Sequence, residues 1–535
     1  MAVRAPSKLP PVVLTFGGGI NARRRPFDVE LDECVSGENF NLDPQQRAMR
    51  SRAPFSKRAT VPNARTIKGF AQLIKQDGTI STLVQGGDTV YTWDGVTTFA
   101  NVGSVNSGAK LRGHLKHNFT LDNIVVITDL TLTENVKQWD GTTFQDFTHN
   151  LGTNLKAKFA NVRNERLYFG NVTTSSATPQ VLLASALGDD NTLTVADRPS
   201  SSISLADPFF IPTPDLKPIN GLEEAFGQFL ISTRNGKMFI LVGTSAFDFD
   251  LKAFYEGSSA SGDEAMVNIG NDVLIGQQGK IESLSGVVSY GDVQTNDVTL
   301  HIGPLIEGVM DWNLVYDRLR QSVLCFPDTQ AACWTLYKAL LNPAIAARAA
   351  GQNAISPWSK WTTTHSFAMQ PTTVMALKDP VTGGDIVLAG DGIGNIYELN
   401  ADTDQDGGTD DVVVIRRSKV INVPAASIFD VVINIDYRRQ FETDITMRFY
   451  WGGVEAMDVS EFTITLSADD SLAVYNGPYY YNGGSYYSST TTARIRRQQK
   501  HPEGRGEFLQ IEVQATSSGG IDVQQIEILL AISET

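Results

Sequence analysis

From residue 66 to about residue 400, apolar and polar residues alternate in short runs, and glycine, asparagine or aspartate breaks each run. Alternation at period two marks strands, and those breakers mark the turns between them. "TISTLVQGGDTVYTWDGVTTFANVG" (79–103) reads as short strands broken at Gly86-Gly87 and Asp94-Gly95. "NIVVITDLTLTENVKQWDGTTFQDF" (123–147) repeats the scheme. "NVRNERLYFGN" (161–171) and "RNGKMFILVG" (234–243) each put a polar turn before a strand. "NDVLIGQQGKIESLS" (271–285) and "DIVLAGDGIGNIYELN" (385–400) read as strand, glycine turn, strand.

The pattern contains a repeat. Val90–Phe99 reads VYTWDGVTTF and Val136–Phe144 reads VKQWDGTTF, which places Trp93 and Trp139 46 residues apart. Asp-Gly favours a tight two-residue hairpin turn, and the flanking Val, Tyr, Trp, Thr and Phe favour strands. A period of about 40–50 residues predicts a β-propeller, in which each blade is a four-stranded sheet. Residues 66–400 hold six or seven units of about 45 residues. "TLYKALLNPAIAARAAGQNA" (335–354) is alanine-rich and helical by propensity, so a helical insertion into one blade is expected there.

From residue 412 the texture changes to seven evenly spaced strands, beginning "DVVVIRRSKVINV" and ending "VQQIEILLAI". That spacing predicts a β-sandwich over 412–535. "ADTDQDGGTDD" (401–411) is the polar linker between the two domains. The fold class expected is therefore all-β: a propeller, then a C-terminal sandwich, preceded by an extended arm over residues 1–65.

Charge sharpens the reading of that arm. The chain carries −15 overall, yet residues 1–68 carry +6, which leaves −21 for the other 467. The arm also interleaves Phe16, Ile20, Phe27, Val29, Leu31, Phe40 and Leu42 with its charges. A solvated tail has little use for so many apolar side chains. The arm is expected to dock on the acidic body or on a neighbouring subunit, with Phe16, Ile20, Phe27 and Phe40 as contact residues. Tyr479, Tyr480 and Tyr481, in a loop with five tyrosines in nine residues, are further contact candidates. Stacking on sugar is the other use for such a loop.

Candidate chemistry is sparse. Cys34, Cys325 and Cys333 are too few for a disulfide framework and lack zinc spacing. "DTDQDGGTDD" has the form of a calcium loop, with Asp402, Asp404, Asp406 and Asp410 at ligand positions 1, 3, 5 and 9. Its position 12 is Val413, and an acidic linker explains the same residues. His114 and His117 would point to opposite faces of a strand. No nucleophile, phosphate-loop or dinucleotide motif occurs, so no catalytic residue, cofactor or enzyme activity is expected. No run of 18 apolar residues occurs, so no membrane-spanning segment is expected, and "VVLTF" is too short a core for an export signal.

Several segments carry a resemblance. "FGGGIN" (16–21) with "ENFNLD" and the basic "RAMRSRAPFSK" resembles the opening of the tail nozzle proteins of short-tailed bacteriophages, also termed tail tubular protein B, and of related tail hub proteins. The likeness continues in "VYTWDG", "KQWDG", "IGPLIEGVMDW" (302–312), "SPWSKW" (356–361), "GNIYELN" (394–400) and "ARIRRQQKHPEGRGEFLQIEV" (493–513). The resemblance implies a structural virion protein, assembled in the host cytoplasm, of which six copies form the ring that closes the tail. It implies docking on a tail adaptor, contact with a tail fibre or needle, and passage of genomic DNA through the ring without specific binding. An acidic body suits a duct, because negative walls repel phosphate, and 402–411 is one place to look for a lumen-facing loop. Two other classes stay open: a receptor- or carbohydrate-binding tail protein, and a propeller glycosidase with paired carboxylates.

Overall fold

The computed structural model describes the chain except residues 1–9, 43–48, 76, 117–123, 190, 195–206, 226, 235, 244–247, 256–258, 285–296, 342–343, 345–354, 402–404, 437–442, 452–458, 467–479, 482–484, 487–491, 498–505, 518–521 and 533–535. The described residues fold as a propeller of seven blades joined to a β-sandwich. The innermost strands of the blades are Ile67–Ile74, Leu111–Lys116, Lys156–Arg163, Ile219–Ala225, Met266–Asn268, Trp312–Asp317 and Thr373–Lys378. Each is followed by antiparallel partners stacked outward, and each inner strand touches the next around a closed ring. Blades one and two share one hydrogen-bonded sheet, because their inner strands run parallel and pair at Phe70 and Arg112.

The repeated Trp-Asp-Gly segment marks one blade. Trp93 and Trp139 end the third strands of blades one and two, and both indoles are buried. The turns differ from the two-residue form expected. Trp93 pairs with Phe99 and Trp139 with Phe144, so the loops span 94–98 and 140–143. In each, the aspartate caps the loop: Asp94 accepts from the Val96 and Thr98 amides at 2.8 and 3.0 Å, and Asp140 from those of Thr142 and Thr143 at 2.7 Å. The glycines supply the positive φ, +86° at Gly95 and +99° at Gly141. Burial acts to raise both carboxyls, yet these donors hold them below the ordinary aspartate range.

Apolar layers lie between adjacent blades. Leu83, Val90, Val125, Ile127 and Trp139 join blades one and two, and Tyr168, Leu182, Phe229 and Phe239 join three and four. The ring closes through the N-terminal segment. Ser56–Thr60 pairs with Asn395–Leu399 and becomes the outermost strand of blade seven. Those five residues therefore belong to the propeller, although the sequence reading placed them in the arm.

The rest of the arm is extended and woven into the sandwich. One leaf holds Val412–Arg417, Gly506–Ser517, Thr443–Trp451 and Val459–Leu466, with Ser36–Glu38 added at its edge. The other holds Thr492–Arg497, Ile421–Asp436 and Asp522–Ile532, to which Val12–Leu14 and Met49–Ser51 pair, and Phe40–Leu42 pairs with Met49–Ser51. Ile421–Asp436 bulges between Asn422 and Ala426 and passes from one leaf to the other. It merges segments that the sequence pattern treats as separate strands.

Inward residues of both leaves, among them Val414, Met447, Phe449, Ile511, Ile526 and Ile528, share one core with Leu14, Phe16, Ile20 and Phe40. That core continues into blades five and six through Leu274, Trp312 and Trp358. The arm's contact residues are thus internal. Phe16, Ile20 and Phe40 are buried within their own chain, and only Phe27 is exposed, edge-on to Phe508 at 5.4 Å. The alanine-rich insertion begins later than expected. Residues 335–337 finish the strand Cys333–Tyr337, 338–341 form a helical turn, and most of the remainder lies outside the described residues.

This weaving changes what truncation should do. Deleting residues 1–60 removes the outer strand of blade seven and the arm strands of the sandwich. The shortened chain should melt at least 10 °C lower, on the order of a few kcal/mol of stability, or fail to fold. An unchanged melting curve would mean that the arm is dispensable to the body.

Candidate functional site

The glycine-rich segment Phe16–Asn21 threads a seam between blade six and the sandwich. Its backbone supplies the contacts. Gly19 N donates to Ser356 O at 2.8 Å, Ile20 N to Trp358 O at 2.9 Å and Ala22 N to His301 O at 2.8 Å. Gly19 has to be glycine, because a Cβ there would lie 2.1 Å from Trp358 O. Ile302, Ile306, Val309 and Trp312 pack in the same core as Ile20 and Trp358. Three segments far apart in sequence, 16–21, 302–312 and 356–361, therefore meet at one place.

Two buried charges organise the sandwich side of the seam. Arg416 is sandwiched by Phe16 and Phe40, whose ring centroids lie 5.0 and 5.2 Å from its guanidinium carbon. It donates to Gly18 O at 2.8 Å and to Asp32 O. Glu33 lies beside it. Its carboxylate accepts from Ser356 N at 2.7 Å and Asn21 Nδ2 at 2.9 Å. Burial outweighs these donors and raises the Glu33 carboxyl above its ordinary range. Cys34 follows, also buried, and burial pushes its thiol up to about 11.

A third buried charge pins the seam from the propeller side. Arg52, 1% exposed, forms a bidentate pair with Asp406, the Nη1–Oδ1 contact being 2.7 Å. Its Nε donates to Asn39 Oδ1 at 3.0 Å, and its Nη2 also reaches Thr362 O at 3.0 Å. Asn39 in turn donates to Val413 O at 2.9 Å. One guanidinium thus holds the arm, blade six and the interdomain linker together. Arg58 extends the docking onto blade seven by donating to Glu398 at 2.5 Å. The basic arm does meet an acidic partner, and the partner is its own chain.

The propeller axis carries a separate polar network. Glu264 accepts from Lys110 Nζ at 2.5 Å and Arg112 Nη1 at 2.9 Å, both of blade two, and from Asn313 Nδ2 of blade six at 3.2 Å. Lys158 of blade three pairs with Asp263 at 2.6 Å. Blades two and six are not neighbours in the ring, so Glu264 bridges across the axis. The network ties blades two, three and six to the segment Asp263–Glu264.

Of the four candidate calcium ligands, Asp406 and Asp410 are described. Asp406 is spent on Arg52, and Asp410 closes a backbone bridge to it, with Asp410 N donating to Asp406 O at 3.0 Å. A buried carboxylate already paired bidentately offers neither a cation site nor a lumen-facing charge. Asp402 and Asp404 lie outside the described residues. Among the described residues, no group of three or more His, Cys, Asp and Glu could hold a metal. Tyr479 lies outside the described residues; Tyr480–Tyr481 pair with Ser485–Tyr486 as a small hairpin. The three cysteines are buried and free.

Sequence reading missed Arg52, Glu33, Asn39 and Arg416. For Arg416 a signal existed: Val412, Val414 and Arg416 alternate with more exposed residues, which puts an arginine on the core face. For Arg52 none did, because its partner is 354 residues away.

No protein-family model matches the chain, and no curated protein matches it. Solved structures of similar architecture include a computationally designed protein, Ika8, at 12% identity and a TM-score of 0.35, over 64% of this chain and 99% of that one. The Pan2 WD40 domain of Neurospora crassa is 12% identical with a TM-score of 0.37, over 65% of this chain and 95% of its own. The β-propeller domain of Cps50 (Swd1) from Myceliophthora thermophila is 9% identical with a TM-score of 0.36, over 64% and 99%. At such scores the likeness says nothing about activity or partners.

Two outcomes follow from the buried charges. Arg52→Met should lower unfolding free energy by about 3–5 kcal/mol, because Asp406 is left buried without its counter-charge, while Arg52→Met with Asp406→Leu should cost much less. Chemical denaturation of the variants measures the difference. Glu33 works with the opposite sign to a salt-bridged acid. Its raised value means that stability falls as pH rises from the ordinary glutamate value of 4.5 through that raised value. Melting temperatures of the wild type minus those of Glu33→Gln should fall across that window; a flat difference would mean that Glu33 is not desolvated.

Proposed function

We propose that this chain is a structural tail protein of a short-tailed phage virion, a subunit of the nozzle ring through which the genome leaves. The observation that carries the reading is the convergence at one seam of "FGGGIN", "IGPLIEGVMDW" and "SPWSKW", the segments on which the resemblance to tail nozzle proteins rests. "GNIYELN" adds to it by forming the strand that receives the closing strand of the propeller. Segments that bear a family likeness and also meet in space support a shared architecture more than scattered motifs do.

On this reading the chain has a mechanical role and no substrate. Six copies surround a duct, dock on the tail adaptor above and meet a fibre or needle below. The DNA path runs between the subunits, since Glu264 bridges the axis of each propeller. The surplus of acid over base keeps the duct wall from holding phosphate. Electron microscopy of the purified protein, with antibody labelling of whole particles, tests the assignment. Six-fold rings with an open centre, and label at the tail tip, are the expected result. Trimers labelled along a fibre, or turnover of a polysaccharide, would replace it with the receptor-binding or glycosidase reading.

A further inference from the structure

The leaf that holds Val412–Arg417 and Val459–Leu466 carries a row of charges that runs straight across its strands. Arg417 lies opposite Glu512, Glu512 opposite Arg448, and Arg448 opposite Glu461. The side chains meet as the register requires. Arg417 Nη2 reaches Glu512 at 2.7 Å, Arg448 Nη1 reaches the other oxygen of Glu512 at 2.8 Å, and Arg448 Nε reaches Glu461 at 2.6 Å. Four strands thus alternate plus, minus, plus, minus. Cross-strand neighbours of opposite sign stabilise a sheet, and like neighbours destabilise it. The row stops at Glu461, whose side chain is 51% exposed. The next position outward, beyond the last strand, is one where a cation fits and an anion does not.

That last strand has an open edge. Among the described residues, Val459–Leu466 pairs only with Thr443–Trp451. Its sequence, VSEFTITL, has one charge, no proline and no lysine, so it lacks the usual guards against edge pairing. The opposite edge of the same leaf is covered by blade six: Glu38 accepts from Lys360 at 3.1 Å and from Thr362 Oγ1 at 2.8 Å. The other leaf repeats the asymmetry. Beside its Phe40–Leu42 strand, Asn41 accepts from Tyr337 of blade six at 2.6 Å. At its far end Thr492–Arg497 pairs, among the described residues, only with Ile421–Asp436. That far strand reads TARIRR, three arginines in six residues.

We propose that Val459–Leu466 pairs edge to edge with Thr492–Arg497 of a second copy of this chain, which sets an arginine opposite Glu461 and extends the charge row across the subunit boundary. The two edges differ, so the contact is head-to-tail and can close into a ring. It stands on the sandwich alone and does not rest on the tail assignment.

Sedimentation velocity of the full chain, over a range of protein and salt concentrations, tests it. Glu461→Arg should raise the concentration needed for assembly about ten-fold or more, and so should Arg494→Glu with Arg496→Glu. Mixing these two variants should restore assembly, because every contact in an alternating ring is then between opposite charges. Far-UV spectra of the unassembled variants should match the wild type, while Glu461→Arg, which loses its exposed pair with Arg448, should melt only slightly lower. Assembly of Glu461→Arg at wild-type concentrations, failure of the mixture to recover, or a wild type that stays monomeric would each overturn the proposal. Rings that form without this edge would leave the nozzle reading intact, and edge-paired rings absent from particle tails would leave this contact intact.

Discussion

A single buried ion pair, Arg52 with Asp406, sets the terms for how the two domains sit together. Taking two charges out of water costs several kcal/mol each, and only a close partner with further hydrogen bonds offsets it. Here the offset is assembled from everywhere: a carboxylate from the linker, a carbonyl from Thr362 in blade six and the side chain of Asn39 in the arm. None of these groups can be withdrawn alone. The linker between propeller and sandwich, which reads as a polar, acidic stretch, is therefore pinned at Asp406.

Around that pair the apolar packing divides into two kinds. Between the blades of the ring the layers are separate, each shared by neighbours, as in the cluster of Ala157, Phe169 and Val172 against Val126 of the preceding blade. At blades five and six the layers instead run on into the sandwich through Trp312, Trp358, Phe16 and Phe40. The sandwich is thus mounted on the rim of the propeller. Blade four reaches the same core through Ala225, Leu230 and Met238, whereas no described residue of blades one to three belongs to it.

The elements legible in the sequence are those with local causes. The Trp-Asp-Gly segments announced strand, turn and strand because Asp94 and Asp140 bond to amides two to four residues away. Even there the length of the loop was not legible, since Asp-Gly serves a two-residue turn and the five- and four-residue loops found here equally well. Propeller and sandwich followed from the spacing of such signals. The closing strand Ser56–Thr60 left no such trace: SKRAT has little strand propensity, and its partner begins at Asn395. Asp406 was misread for the same reason. Three alternating aspartates before a glycine suit calcium, and nothing nearby showed that Arg52 had already neutralised one of them. Arg416 sits between these cases, visible as an arginine in the inward phase of a strand, though its acceptors Gly18 and Asp32 were not.

The pairing of Val12–Leu14 with Ile526–Ile528 has a consequence in time. A ribosome adds roughly 5–20 residues per second. Val12–Leu14 therefore waits on the order of half a minute or more for its partner to leave the exit tunnel. Until then the seam is open and Phe16, Ile20 and Phe40 lack part of the core that buries them, although Ser56–Thr60 can close blade seven once Asn395–Leu399 has emerged. The propeller can close during synthesis, yet the sandwich is incomplete until Asp522–Ile532 has been made. Emergence of Asp522–Ile532, rather than of the propeller, is the event that lets the sandwich close. A newborn chain would in that interval depend on holding chaperones, or on low local concentration, to keep its open edges from finding one another.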